Sequence, residues 1–139
     1  MSVQLHLTDD SHRIYRLEQR IFPGQFFEGP ESGNTYWIAV DETNHDVGYA
    51  SARPSQAEVD ALFLSRAAVS PWARGRGIHR DLIAVRVQHA AAHAFPVCVT
   101  YTAWDNVRCG NNLIACGFRL YRPPGLWGGE DVMYFRKLL

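Results

Sequence analysis

The sequence predicts an α/β (α+β) domain in which a mixed, mostly antiparallel central sheet is flanked by helices. Three observations carry that prediction. An apolar run over residues 62–69 is stopped by Pro71, crosses Arg74-Gly75-Arg76-Gly77 and returns at helical spacing in Ile78, Leu82 and Val85. It reads as strand, glycine turn and helix. Two β-rich runs, 36–40 and 47–53, are separated by turn residues 41–46 and read as antiparallel partners. A third, 97–102, follows Phe95-Pro96 and reads as a central strand. At 139 residues and 47% hydrophobic composition the chain reads as one domain, residues 1–139, with a core of its own.

The elements follow in order. Residues 5–7 form a short first strand, and Asp9, Asp10 and Ser11 supply cap candidates for a helix to about Arg20 with Ile14, Leu17 and Ile21 on one face. The stretch 22–30 breaks that period and is rich in aromatics for a Pro/Gly loop. The two antiparallel strands come next, then a polar connection over 55–58 into the long apolar strand that ends at Val69. The helix after the glycine turn continues to about His93; His79, His89 and His93 lie along it without a metal-ligand pattern. Asp105-Asn106 caps a short helix to Cys116, and Gly117 stands where a helix end favours a left-handed residue. A strand from Phe118 to Tyr121, a loop over 123–129 and a closing strand over 132–136 complete the chain.

Fourteen basic and fourteen acidic residues give zero formal net charge, which argues against a chain that coats nucleic acid, although residues 74–80 form a local basic patch. No signal peptide and no membrane span are expected. Three cysteines without a Cys-x-x-Cys pair read as reduced thiols of a cytoplasmic protein, with no metal site expected.

The glycine turn is the chemically telling stretch. A helix start preceded by glycines presents unpartnered amides, the helix dipole adds positive charge, and Arg74, Arg76 and Arg80 add full charges. Such a place suits a phosphate or pyrophosphate. Neither the P-loop nor the dinucleotide fingerprint is present. The stretch resembles motif A of the GNAT-superfamily N-acetyltransferases, Arg/Gln-x-x-Gly-x-Gly/Ala: Arg74 and Gly77 match the first and fourth positions, and His79 replaces the small residue at the sixth. Residues 106–118 resemble that family's later motif through Asn106, Gly117 and Phe118, with Cys109 in place of a small residue. The order of elements is also that of the GNAT fold.

The resemblance implies a sheet splayed at an acyl-CoA cleft between the strand ending at Val69 and the strand from Val97. Acetyl-CoA would be the co-substrate, with no metal. The backbone at Ala67, Ala68 and Val69 would pair with the pantetheine arm, and amides of Gly75, Arg76, Gly77, Ile78 and His79 would hold the pyrophosphate. Asn106 would contact the pantetheine end, with Asn111 and Asn112 assisting. An amine held against the thioester carbonyl would attack it directly, and a backbone N–H near Val69 would stabilise the oxyanion.

The family's usual tyrosine proton donor is replaced by Leu113, and its strand glutamate by Phe63. Candidates for the catalytic acid are Tyr121, Tyr101 and Cys109, each of which also reads as a packing residue; Ser65 and Arg66 would order a water that accepts the amine proton. The acceptor site would be built from the first loop and the last hairpin, with Phe26, Phe27 and Trp127 covering an apolar body and Glu28, Glu31, Glu130 and Asp131 attracting a cationic amine. The acceptor is a small molecule, a peptide or a modified nucleotide, and dimerisation through the last strands is common in the family. The alternative from another class is a GNAT-like module that binds acyl-CoA without turnover; DNA binding through the basic patch is a third, more distant reading.

Overall fold

The computed structural model describes residues 2–25 and 33–139. The chain runs β1 (Val3–Thr8), α1 (Ser11–Ile21), β2 (Thr35–Asp41), β3 (Asp46–Pro54), β4 (Ala61–Val69), α2 (Ile78–Ala92), β5 (Val97–Ala103), α3 (Val107–Ala115), β6 (Arg119–Leu120) and β7 (Val132–Leu138). The strands form one sheet in the order β1-β2-β3-β4-β5-β7-β6. Neighbours are antiparallel except β4 and β5, which α2 connects as a parallel pair.

Alternation along the strands divides the core between two faces. Tyr36, Ile38, Val40, Tyr49 and Ala68 face α1, where Ile14, Leu17 and Ile21 form the apolar stripe expected from their spacing. Asp10 starts that helix by accepting the Arg13 amide at 3.1 Å. Trp37, Ala39, Val47, Leu62 and Leu64 face α2. The buried stripe of α2 is Ile78, Leu82, Ile83 and Ala90; Val85, expected on it, is only partly buried. The strand expected over 118–121 shrinks to two residues; the amide of the fully buried Phe118 is spent on closing α3, donating to the Leu113 carbonyl at 3.0 Å. A single 3₁₀ turn over Pro71–Ala73, not expected from the sequence, leads from β4 towards the glycine turn.

What opens the sheet is one extra residue in β4. Ala50 stands opposite Ala67 and Ala52 opposite Leu64, so Ser65 and Arg66 together oppose Ser51. Such a bulge bends and twists its strand. The ladder between β4 and β5 accordingly holds only Ala61, Leu62 and Phe63 against Val97, Cys98 and Val99. One step further the Thr100 hydroxyl donates to the Leu64 carbonyl at 2.7 Å, and beyond it the strands part. Ser51 satisfies the bulge from both sides: its Oγ accepts the Arg66 amide at 3.1 Å and lies 2.6 Å from Ser65 Oγ. Its carbonyl accepts Nη1 of the buried Arg86 on α2 at 3.2 Å.

A buried polar cluster braces the same place from α1. Glu18, 1% exposed, accepts the Tyr49 hydroxyl and pairs with Nη2 of Arg66, whose Nε donates to Tyr49 Oη at 2.9 Å. Burial first, then the Glu18 carboxylate, raise the Tyr49 phenol well above its ordinary pKa, so it stays a donor.

Ser51→Ala removes the acceptor of a bulge amide and is expected to destabilise the fold by about 1–3 kcal/mol in urea unfolding. A loss within about 0.5 kcal/mol, the usual range for surface substitutions, would show that the bulge stands without its hydroxyl.

Candidate active site

At the mouth of the opening, the turn after Pro71–Ala73 carries Arg74 to Gly77 into α2. Gly75 and Gly77 hold left-handed φ of 79° and 81°, a region that a side chain disfavours. A Cβ built on either would meet nothing within 4 Å, so both face open space. Gly77 caps α2 without a side chain, which leaves the first amides of the helix, those of Ile78 and His79 included, at an open positive terminus. Arg74 folds back so that its Nε donates to the Val69 carbonyl at 3.2 Å, joining the turn to the end of β4. The end of β4 without a β5 partner, the two glycines facing open space and the uncapped start of α2 thus follow one another along the chain, and the donors gathered there suit an anionic group such as a pyrophosphate.

His79 is not a passive replacement at its position. Arg80 Nε can only donate, and it reaches Asn112 Oδ1 at 2.9 Å; the amide nitrogen of Asn112 therefore points to His79 Nδ1, also at 2.9 Å. The ring proton of His79 sits on Nε2. Burial, then the charge of Arg86, push the imidazole down to about 4, so it is neutral at pH 7. Asn112 ties α3 to the first turn of α2 on the far side of the slot. Asn111 is exposed, and Asn106 uses its Oδ1 to cap α3 by accepting the Cys109 amide at 3.2 Å.

The other candidates divide. Tyr101 stands on β5 just past the last parallel pair, 39% exposed, stacked on Phe63 with ring centroids 5.8 Å apart. Gly128 lies so close over its ring that a Cβ there would come within 2.6 Å. Trp127 meets both Phe63 and Tyr101 edge-on at 5.3 Å, and Tyr134 closes the cluster. Tyr121 turns its hydroxyl to Glu58, and burial, then that bond, raise its pKa. Cys109 is half-buried against the core beside α2, and Leu113 is buried in it. Glu130 and Asp131 are exposed, and Ser65 sits half-exposed at the bulge. Phe26, Phe27, Glu28 and Glu31 lie outside the described residues.

Sequence reading missed Glu58. It looked like one residue of a polar connection, but Ser55 Oγ accepts the amides of Ala57 at 3.2 Å and Glu58 at 3.0 Å, and Trp127 Nε1 donates to Glu58 Oε2 at 3.0 Å. A Ser-x-x-Glu turn just before an apolar strand was the available signal. Among the described residues no His/Cys/Asp/Glu group is placed to hold a metal ion, and no helix is long and apolar enough to cross a membrane.

A parted sheet with a glycine turn and helix terminus at its mouth defines an acyl-CoA-dependent acyltransferase architecture. The chain belongs to the acetyltransferase (GNAT) family, whose sequence profile matches residues 4–118. Its fold is shared by a GNAT-superfamily phosphinothricin acetyltransferase from Sinorhizobium meliloti, solved in complex with AcCoA, at 22% identity and a TM-score of 0.77 over 100% of this chain and 89% of that one. It is shared by the Escherichia coli ribosomal-protein-S18-alanine N-acetyltransferase at 15% identity and 0.77, over 99% and 94% of the two chains. A chimera of the Vibrio cholerae spermidine N-acetyltransferase SpeG with hSSAT aligns at 16% identity and 0.72, over 99% and 96%. No curated protein sequence matches the chain. The mixed, mostly antiparallel sheet and the family expected from the two motifs are both observed.

The neutral, partly buried His79 carries a pH dependence with a definite sign. Its folded pKa of about 4 lies below its ordinary 6.5, so the unfolded chain takes up the proton first as the pH falls. The stability that this contributes is complete above pH 6.5 and is lost on acidification towards pH 4. His79→Gln is expected to flatten that part of the unfolding profile in denaturant titrations; an unchanged profile would place the imidazole in solvent.

Proposed function

We propose that the chain, acting as a single GNAT-like domain, transfers an acetyl or other short acyl group from acyl-CoA to a primary amine by direct attack in a ternary complex. The observation that carries this reading is the end of the β4–β5 ladder at Phe63 and Val99, from which β4 runs on without a β5 partner to Val69 and into an open glycine turn. Bound acetyl-CoA supplies an activated thioester.

The chain's residues divide the remaining work. The backbone of Ala67, Ala68 and Val69, left without a β5 partner, pairs with the pantetheine arm as an added strand edge would. Amides of Gly75, Arg76, Gly77, Ile78 and His79 receive the pyrophosphate at the terminus of α2, with Arg74 charge beside them. Asn106 and Asn111 contact the pantetheine end from the α3 side, and Asn112 orients the His79 ring through Nδ1. The Val69 N–H serves the carbonyl oxygen as charge develops on it. Of the acid candidates, Tyr101 is favoured because it is exposed just past the parting of the strands, whereas the Tyr121 hydroxyl is engaged as a hydrogen-bond donor to Glu58 and the Cys109 thiol is half-buried. In this reading Ser65 and Arg66, at the bulge, order the water that takes the amine proton, although the Arg66 guanidinium is also bonded to Glu18 and Tyr49.

A second reading, acyl-CoA binding without turnover, draws on Leu113, an apolar buried residue at the place of the usual proton donor. Thiol release from acetyl-CoA with a panel of amines separates the two. Tyr101→Phe is expected to lower kcat by about 10²-fold, the range of a single general acid, while calorimetry finds the acetyl-CoA Kd unchanged. Equal kcat would remove Tyr101 from the mechanism.

The slot itself is tested by two neighbouring substitutions. Asn tolerates a left-handed backbone, so Gly77→Asn is expected to bind acetyl-CoA nearly as wild type does. Gly77→Asp, of the same shape but with a negative charge among the phosphates, should bind about tenfold or more weakly, the scale of one charged contact. Equal affinities for the two variants would place the pyrophosphate elsewhere.

A further inference from the structure

The acyl-transfer reading leaves one well-built carboxylate without a task. Glu58 stands in the turn between β3 and β4, where the Ser55 hydroxyl holds its amide at 3.0 Å and the Ala61 amide donates to its carbonyl at 3.4 Å. Tyr121 Oη and Trp127 Nε1 both donate to the same oxygen, Oε2. Oε1 takes no donor, and no cation lies within ion-pair distance of the carboxylate, among the described residues. Two guanidinium groups border the surrounding aromatic cluster, Arg136 over the Tyr121 ring at 5.0 Å and Arg53 over the Phe63 ring at 5.1 Å.

Glu58 forms part of the wall of a cavity of about 600 Å³ lined also by Ala57, Val59, Pro124, Leu126 and Trp127. That volume is in the range of small-molecule sites. The side chains that line it are apolar apart from the Glu58 carboxylate and the Trp127 N–H bonded to it, a set that a cationic group on an aliphatic stem complements in charge and surface. Trp127 joins this cavity to the opening of the sheet: its Nε1 touches Glu58 while its ring packs on Phe63 and Tyr101. The two places are separated by one indole ring. A carboxylate so firmly oriented costs little to reorganise when its partner arrives.

We propose that Glu58 is a specificity-determining residue that anchors a second cationic group of a small acceptor, an aliphatic diamine whose other amine is acylated beside Tyr101. The proposal rests on the acyltransferase reading for the fate of the reacting amine, and on the Glu58 cavity alone for the choice of acceptor.

The test uses the full chain and two probe sets, α,ω-alkyl diamines and n-alkylamines of matching length, each followed by calorimetric binding in the presence of desulfo-CoA and by thiol release from acetyl-CoA. Wild type is expected to bind the preferred diamine about 10- to 100-fold more tightly than its monoamine, the scale of a charge-assisted hydrogen bond. Glu58→Gln keeps an acceptor for Tyr121 and Trp127 and should abolish that ratio. Asp60→Asn removes an equal charge two residues away, at a left-handed position that Asn tolerates, and should keep the ratio. Diamine preference in binding without release of thiol would sustain the anchor and overturn acyl transfer. Turnover of both amine sets with no diamine preference in wild type would overturn the anchor and leave acyl transfer standing, a result that does not depend on how any variant folds. Preference for a lysine-bearing peptide over every diamine, or an equal loss in Asp60→Asn and Glu58→Gln, would also overturn it.

Discussion

The slot in this molecule depends on Ser51. A sheet cannot simply be pried open, because each unpaired amide and carbonyl left in a dry interior is costly. Here β4 carries one residue too many, and Ser51 on β3 absorbs the mismatch: its hydroxyl takes the orphan amide of Arg66 and its carbonyl is met by Arg86 from the opposite face. The register error is thereby satisfied locally, and β4 leaves β5 with a free edge only where a ligand can pair with it.

Both helices that sandwich the sheet contribute to that point. From α1 come Glu18 and, through it, Tyr49 and the Arg66 side chain; from α2 comes Arg86, whose Nε also bonds the Leu82 carbonyl at 2.9 Å. Arg86 is buried without a carboxylate partner among the described residues, and burial draws its pKa down to about 10, still charged at pH 7. Burial and, after it, the positive charge of Arg86 hold His79 neutral. Electrostatics and backbone geometry at the slot therefore share one set of residues.

The division between what was legible and what was not follows the range of the interactions. Proline, the glycine pair, the Asn106 cap and Gly117, at φ 94°, act on their own backbone, and local chemistry of that kind can be read from a short stretch. Likewise the stripe of Ile14, Leu17 and Ile21 needs only its period. The bulge was invisible because Ser65 and Arg66 look like any strand residues until Ser51, fourteen positions earlier, is placed beside Ser65. Val85 lost its expected core place to Ile83 because the sheet, not the helix period, decides where the buried stripe of α2 runs. Glu58 escaped for the same reason: its partners Tyr121 and Trp127 arrive from 63 and 69 residues away. Asn112, expected only to assist at the cofactor, turned out to orient His79 because α3 packs across the start of α2.

The short parallel ladder has a mechanical meaning as well. Strands β1 to β4 form one half of the sheet and β5, β7 and β6 the other, and the seam between them is three residue pairs long, with Thr100 as a last stitch. Each half is internally paired along most of its strands, so the seam is where the native state separates with least disruption. A molecule lying in the slot and bonded to β4 on one side would lengthen that seam, so that the substrate completes the sheet that binds it.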